Sequence, residues 1–301
     1  MAKKKRKFTG ISKFLLGELV VLIFLLLLLL PYSTSNTPGV STRGLPGLHT
    51  GSEDKQGNTP GVYAGGSAGV HTGSGIGKQL RVPILMYHYI GGNPNPEDIA
   101  RDNLSVSPEK FDEQMGYLAK AGYTPITLDT MVAGLYKQIT LPQKPLILTF
   151  DDGYVDFFYN AYPILSKYNF KSVLFVPTGL VGREAYLNWE QLGKLQSSGL
   201  VSIQAHSVNH AHLVSLDETA IIYELQTSKR TLEEKYEVPV NFVAYPYGAS
   251  NQAVWNVAKR VGYIGGLGTW NASIQSEGTL FDMPRIKIAG EWNIETFASV
   301  I

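Results

Sequence analysis

The chain has 301 residues, with 26 Lys and Arg against 25 Asp and Glu, a formal net charge of +1. That balance points to no nucleic-acid partner, and the length allows one large or two small domains. Cysteine is absent, which excludes disulfides and thiolate metal sites, so any metal must be held by His, Asp or Glu.

The chain opens with a basic head, Lys3 to Lys7 with Lys13 beyond, followed by the apolar run Phe14 to Leu30. A basic head and an apolar run predict an export signal or a membrane anchor. The run is at the short end of the ~20 residues that span a bilayer. Pro31-Tyr32 interrupts any small-residue cleavage site, so residues 1–30 are read as an uncleaved, single-pass signal anchor. The positive flank keeps the N-terminus in the cytoplasm and places the rest outside the cell membrane. Residues 31–79 are rich in Gly, Ser, Thr and Pro and carry a duplication. Asn36-Thr37-Pro38-Gly39-Val40 recurs at Asn58 to Val62, and His49-Thr50-Gly51-Ser52 recurs at His71 to Ser74. Two polar copies are too few for a solenoid, and the composition predicts a flexible spacer in which His49 and His71 are solvated.

From residue 80 to 301, strand-like runs alternate with helical patterns. Val82 to Tyr87 predicts a strand ending at His88. Ser107-Pro108 predicts a helix start, as cap and first residue, with Phe111, Met115 and Leu118 on its apolar face. Tyr123 to Leu128 reads as a strand, followed by a short helix to about Tyr136. The run Leu146 to Phe150, bounded by Pro145 and Gly153, reads as a buried strand. Asp151 and Asp152 stand at its end, and on an extended segment they would point in opposite directions. A helix over Phe157 to Tyr168, a strand at Ser172 to Val176, a helix over Trp189 to Gln196 and a strand at Val201 to Ala205 follow. A long helix is expected from Asp217 to Tyr236, then a strand at Val240 to Tyr245, a helix at Gln252 to Val261 and strands at Tyr263 to Leu267 and Met283 to Ile288. Repeated β-α units imply a mostly parallel sheet, and their number predicts a distorted, incomplete (β/α) barrel.

Three strand ends bring chemistry together. One carries Asp151 and Asp152, a second His206-Ser207-Val208-Asn209-His210, and a third Tyr245-Pro246-Tyr247-Gly248. Two histidines four apart share a helical face or converge from a tight loop. With one carboxylate they make a set suited to a divalent metal with an open position. His212 is read as a bystander.

In Thr149-Phe150-Asp151-Asp152-Gly153, His206 to His210 and Tyr245 to Gly248, the sequence resembles the polysaccharide deacetylase family, the carbohydrate esterases that share the NodB homology domain. The resemblance covers Val82 to Ile288. Met86-Tyr87-His88 and Met283-Pro284-Arg285 look like the branch containing poly-N-acetylglucosamine deacetylases. By position it implies Asp152, His206 and His210 as ligands of a divalent metal, zinc first, with cobalt, nickel or manganese as alternatives. Asp151 would be the catalytic base, and the backbone N–H of Tyr247 would stabilise the oxyanion. It also implies an N-acetylated polysaccharide as substrate, with Tyr245, Tyr247, Arg285 and Trp270 as candidate sugar contacts.

Departures from the family pattern are informative. Ala244 stands where many members have an arginine, and Gly268-Thr269-Trp270 is what remains of an Asp-rich motif. Arg285 is the expected spatial substitute for the arginine. No hydrophobic-x-His motif follows near the C-terminus, so His88 is the expected general acid. Trp189, Trp270 and Trp292 could stack on sugars, with core packing the default for each. Two other readings are a non-catalytic glycan-binding module and an O-acetyl esterase. The intact Asp151, Asp152, His206 and His210 argue against the first, because a binding module needs no base beside its metal.

Overall fold

The computed structural model describes residues 77–95 and 97–301. The expected anchor and the spacer up to residue 76, with its duplicated segments, His49 and His71, lie outside the described residues. Among those described, no helix is long and apolar enough to cross a membrane.

Eight parallel strands form the central sheet: β1 (Ile84–Tyr87), β2 (Thr124–Pro125), β3 (Pro145–Phe150), β4 (Ser172–Val176), β5 (Val201–Ala205), β6 (Phe242–Ala244), β7 (Gly265–Leu267) and β8 (Ile286–Lys287). Their spatial order is β7-β6-β5-β4-β3-β1-β8, with β2 pairing only with the start of β3. A bridge from Leu267 to Met283, just before β8, joins the two ends of this order. The ring thus holds seven strands and closes through one residue pair rather than a full ladder. This is the distorted, incomplete barrel that the β-α count predicts.

The alternation of side chains along each strand divides the apolar core in two. Ile84, Ile147, Val173, Phe175, Phe242, Ala244, Leu267 and Met283 pack together inside the ring. Leu85, Tyr87, Leu148, Phe150, Leu174, Ile203, Val243 and Tyr245 face the surrounding helices. Counting by twos from the inner set fixes what lies at the rim. Asp151 follows Ile147 and Thr149, His88 follows Ile84 and Met86, and Arg285 follows Met283. Asp151 and His88 therefore extend inner rows past the carboxyl ends of β3 and β1, where chemistry collects in barrels of this kind, while Arg285 enters from the loop before β8.

The helices form where their caps allow. Ser107 accepts from Lys110 N–H at the start of Pro108–Lys120, and Asn188 with Gln191 builds a reciprocal capping box before Trp189–Ser197. Asp217 caps Glu218–Tyr236. The helix expected over Phe157 to Tyr168 is instead a π-turn, Phe157–Ala161, running into Tyr162–Tyr168. The predicted strand at Tyr123 to Leu128 shrinks to Thr124–Pro125, because Thr127 caps the helix Leu128–Leu135.

Asp156, which precedes the π-turn, is largely buried, and its Oδ1 has no hydrogen-bond partner. Burial pushes its carboxyl up to about 6. A carboxyl raised on folding stabilises the native state below its unfolded pKa and loses that contribution as pH climbs through the folded one. The isosteric Asp156→Asn should therefore match the wild type near pH 4 and exceed it by about 2–3 kcal/mol at pH 8. Denaturant titration at the two pH values checks this, and equal differences at both would refute it.

Candidate active site

Asp151 lies just past β3, anchored by its own N–H donating to the Tyr87 carbonyl at 3.0 Å. Arg285 approaches it from the loop before β8. Nη1 and Nη2 donate to Oδ1 and Oδ2 of Asp151 at 2.7 and 2.8 Å, a bidentate pair. Nε donates to the Gly268 carbonyl at 2.8 Å, and Nη1 also reaches Thr149 Oγ1 at 3.2 Å. Burial works to raise the Asp151 carboxyl, but the guanidinium outweighs it and holds the group below the usual carboxylate range. The carboxylate is thus kept ionised inside the protein by a cation that is itself 0% exposed.

Asp152 does not continue the strand. Its φ is +73°, and Gly153 follows at +68°, so the alternation expected of an extended pair does not hold. The left-handed turn brings the second carboxylate back to the same pocket, with a different set of partners. His206 Nε2 and His210 Nε2 lie 3.2 and 3.1 Å from Asp152 Oδ1. Although both nitrogens are at ion-pairing distance, Oδ1 is buried and makes no hydrogen bond. His206 Nδ1 is 2.7 Å from the Ala244 carbonyl, which can only accept, so Nδ1 carries the proton and Nε2 presents its lone pair. A lone pair facing a carboxylate oxygen is unfavourable unless a cation sits between them. The three ligand atoms lie within 4.8 Å of one another, and two imidazoles with one carboxylate suit a divalent ion. The residues fit a metal.

The histidine loop is neither a helical turn nor relaxed backbone: Ser207 and His210 both have positive φ, +62° and +55°. What holds it is Glu224, a buried carboxylate on the helix Glu218–Tyr236. Its Oε2 accepts the N–H groups of Val208 and Asn209 at 2.8 and 2.9 Å, and Oε1 accepts Asn209 Nδ2 at 2.7 Å. The sequence reading missed this residue. A usable signal was present, since Glu224 falls on the helix's buried stripe with Ile221, Leu225, Ser228 and Leu232, where a carboxylate needs a partner. Glu224→Gln swaps one acceptor for a donor facing N–H groups. Metal affinity in competition with a chelator should fall about 10- to 100-fold, the usual cost of losing an outer support. Unchanged affinity would make Glu224 irrelevant to the site.

His88 stands beside Asp151 at the end of β1. Burial pushes its imidazole down, while the charges of Asp151 and Asp152 pull the other way. Tyr247 is 66% exposed, with φ of +60°, and its ring centroid is 4.6 Å from that of His210. His212 bonds Ser215 Oγ at 2.9 Å and stays outside the ligand group.

Two expected sugar contacts are corrected. Tyr245 is fully buried among the helix-facing residues, and its hydroxyl donates to the Phe281 carbonyl at 3.0 Å. The strand alternation turns it away from the ring interior. Arg285 is likewise fully buried, with its donors directed to Asp151, Thr149 and Gly268; it clamps Asp151 rather than facing the cleft. Trp270 is part-buried, its indole N–H donating to the Asp282 carbonyl at 2.9 Å. Trp189 and Trp292 pack against the helix-facing core.

Comparison with known proteins agrees with this geometry. Residues 138–265 match the family described as polysaccharide deacetylase. The Streptococcus pyogenes deacetylase PplD, solved in complex with acetate, is 32% identical with a TM-score of 0.69, covering 73% of this chain and 98% of that one. A polysaccharide deacetylase from Bacillus cereus is 29% identical with a TM-score of 0.67, covering 74% of this chain and 69% of that one. The poly-beta-1,6-N-acetyl-D-glucosamine N-deacetylase of Staphylococcus aureus is 28% identical over 204 residues, 63% of this chain and 69% of that protein.

Proposed function

Because the chain belongs to the polysaccharide deacetylase family, we propose that it hydrolyses N-acetyl groups on a poly-N-acetylglucosamine-like polysaccharide. Asp152, His206 and His210 would hold the metal, zinc first. The observation that carries this reading is the side-by-side arrangement of an ionised, arginine-clamped Asp151 and a three-ligand set with no hydrogen bond at its centre.

When bound, a divalent ion supplies Lewis acidity toward the acetyl carbonyl and toward water. Asp151 takes a proton from the attacking water, and Arg285 keeps it charged and aimed for that task. The backbone N–H of Tyr247 faces the oxyanion that develops as water adds. His88 delivers a proton to the amine nitrogen as the C–N bond breaks, and acetate and a free amine leave. Support for N- over O-deacetylation comes from the named Staphylococcus aureus relative.

The test is acetate release from a panel: β-1,6-linked N-acetylglucosamine oligomers, acetylated peptidoglycan fragments and O-acetylated xylan. The reading expects release from the first, abolished by chelator and restored by zinc. Release confined to the O-acetylated substrate would replace it with an esterase.

A further inference from the structure

Beside the metal ligands runs a row of aromatic side chains that the catalytic assignment does not use. Tyr89, at the start of the short strand Tyr89–Ile90, stacks on Tyr154 with centroids 3.9 Å apart and planes 16° apart. Tyr154 in turn leans on Tyr186 at 5.3 Å and 34°. At the far end the Arg101 guanidinium sits 4.2 Å above the Tyr89 ring. All three tyrosines are half-buried, although they form a continuous apolar surface that a core would normally cover.

The backbone fixes this row in register with the site. Tyr154 comes two residues after Asp152, and a bridge pairs it with Tyr186. Val155 N–H donates to the Ala185 carbonyl, and Leu187 N–H to the Gly153 carbonyl, both at 2.9 Å. All three phenols lie in the field of Asp152, and Tyr186 is also in that of Tyr247 across the cleft.

Arg101 and Tyr154 both pack on Tyr89, and all three rings stay partly exposed, so the row offers ring surface and phenol groups beside the site. That combination suits an uncharged ligand with apolar C–H faces and hydroxyl rims, which is what a glycan presents. Arg101 is stacked on Tyr89 and stiffens the wall. We propose that Tyr89, Tyr154 and Tyr186, backed by Arg101, form a subsite for the sugars flanking the one that loses its acetyl group. The row is longer than one ring, so it reads chain length. This rests on the deacetylase reading above and extends it to how the polymer is held.

The experiment compares Tyr154→Phe, Tyr186→Phe and Tyr186→Ala in the full, zinc-loaded chain. The Phe variants keep the stack and remove one hydroxyl each. With a β-1,6-linked N-acetylglucosamine pentamer and with N-acetylglucosamine itself, the pentamer-to-monomer ratio of kcat/KM should fall about threefold to tenfold in each Phe variant, through KM. Tyr186→Ala should fall further, with zinc content at the wild-type level in all three. Equal losses on pentamer and monomer, or none, would overturn the subsite. Affinity of the chelator-treated, metal-free chain for the N-acetylglucosamine pentamer judges the wall without turnover. If the wild type released no acetate, the deacetylase reading would fail, while weaker pentamer binding by the variants would still support the subsite. Unchanged pentamer binding, or no binding by the wild type, would overturn it.

Discussion

Arg285→Met is expected to lower stability by about 3–5 kcal/mol and to remove most of the acetate-releasing activity. The stability loss follows from stranding Asp151 in a buried place without its bidentate partner. The activity loss follows from the same event. Burial pushes the Asp151 carboxyl up, so losing the guanidinium disfavours the ionised form that accepts a proton from water. The double variant Asp151→Asn/Arg285→Met separates the two effects, since it buries no unpaired charge. Stability should then recover in large part while activity stays lost. Denaturant midpoints and acetate release on the four members of the cycle check this. A single Arg285→Met variant as stable as the wild type would show that the pair is not what organises the pocket.

His88→Ala is expected to lose two to four decades in rate with metal and fold intact, the usual worth of a general acid. The amine leaves poorly unless it is protonated, and His88 is the residue proposed above to supply that proton. Burial lowers its imidazole below the ordinary value, against the pull of the two carboxylates. Loss on an activated acetyl ester, whose leaving group needs no proton, should be much smaller. Equal losses on amide and ester would instead assign His88 to binding or positioning.

Much of this site was legible because its residues stand at strand ends, and strands alternate with period two. That rule places Asp151, His88 and Arg285 inside the ring. It would also have excluded Tyr245, one residue past the inward-facing Ala244. What the sequence hid were departures from regular geometry. Nothing in Asp151-Asp152 announces the left-handed φ that returns the second carboxylate to the first one's pocket. Ser207 and His210 adopt φ values that glycine or asparagine would have advertised, and Glu224 holds them there from another helix. The antiparallel ribbon Gln79–Arg81 with Ile274–Ser276 was missed for a different reason. Its strands are three residues each and far apart in sequence, so neither carries a period. The final helix, Ile294–Val300, is a short segment capped by Asn293, two turns that fall below the length at which a pattern is visible.

The proposed chemistry depends on one metal held by Asp152, His206 and His210, and the most direct test is metal content alongside activity in His210→Ala. The purified full chain should carry one divalent ion per protein by elemental analysis. The variant should lose that ion and its acetate release together, while its unfolding midpoint without metal matches that of the chelated wild type. Full metal occupancy in His210→Ala, or undiminished acetate release from chelated wild type, would contradict the account.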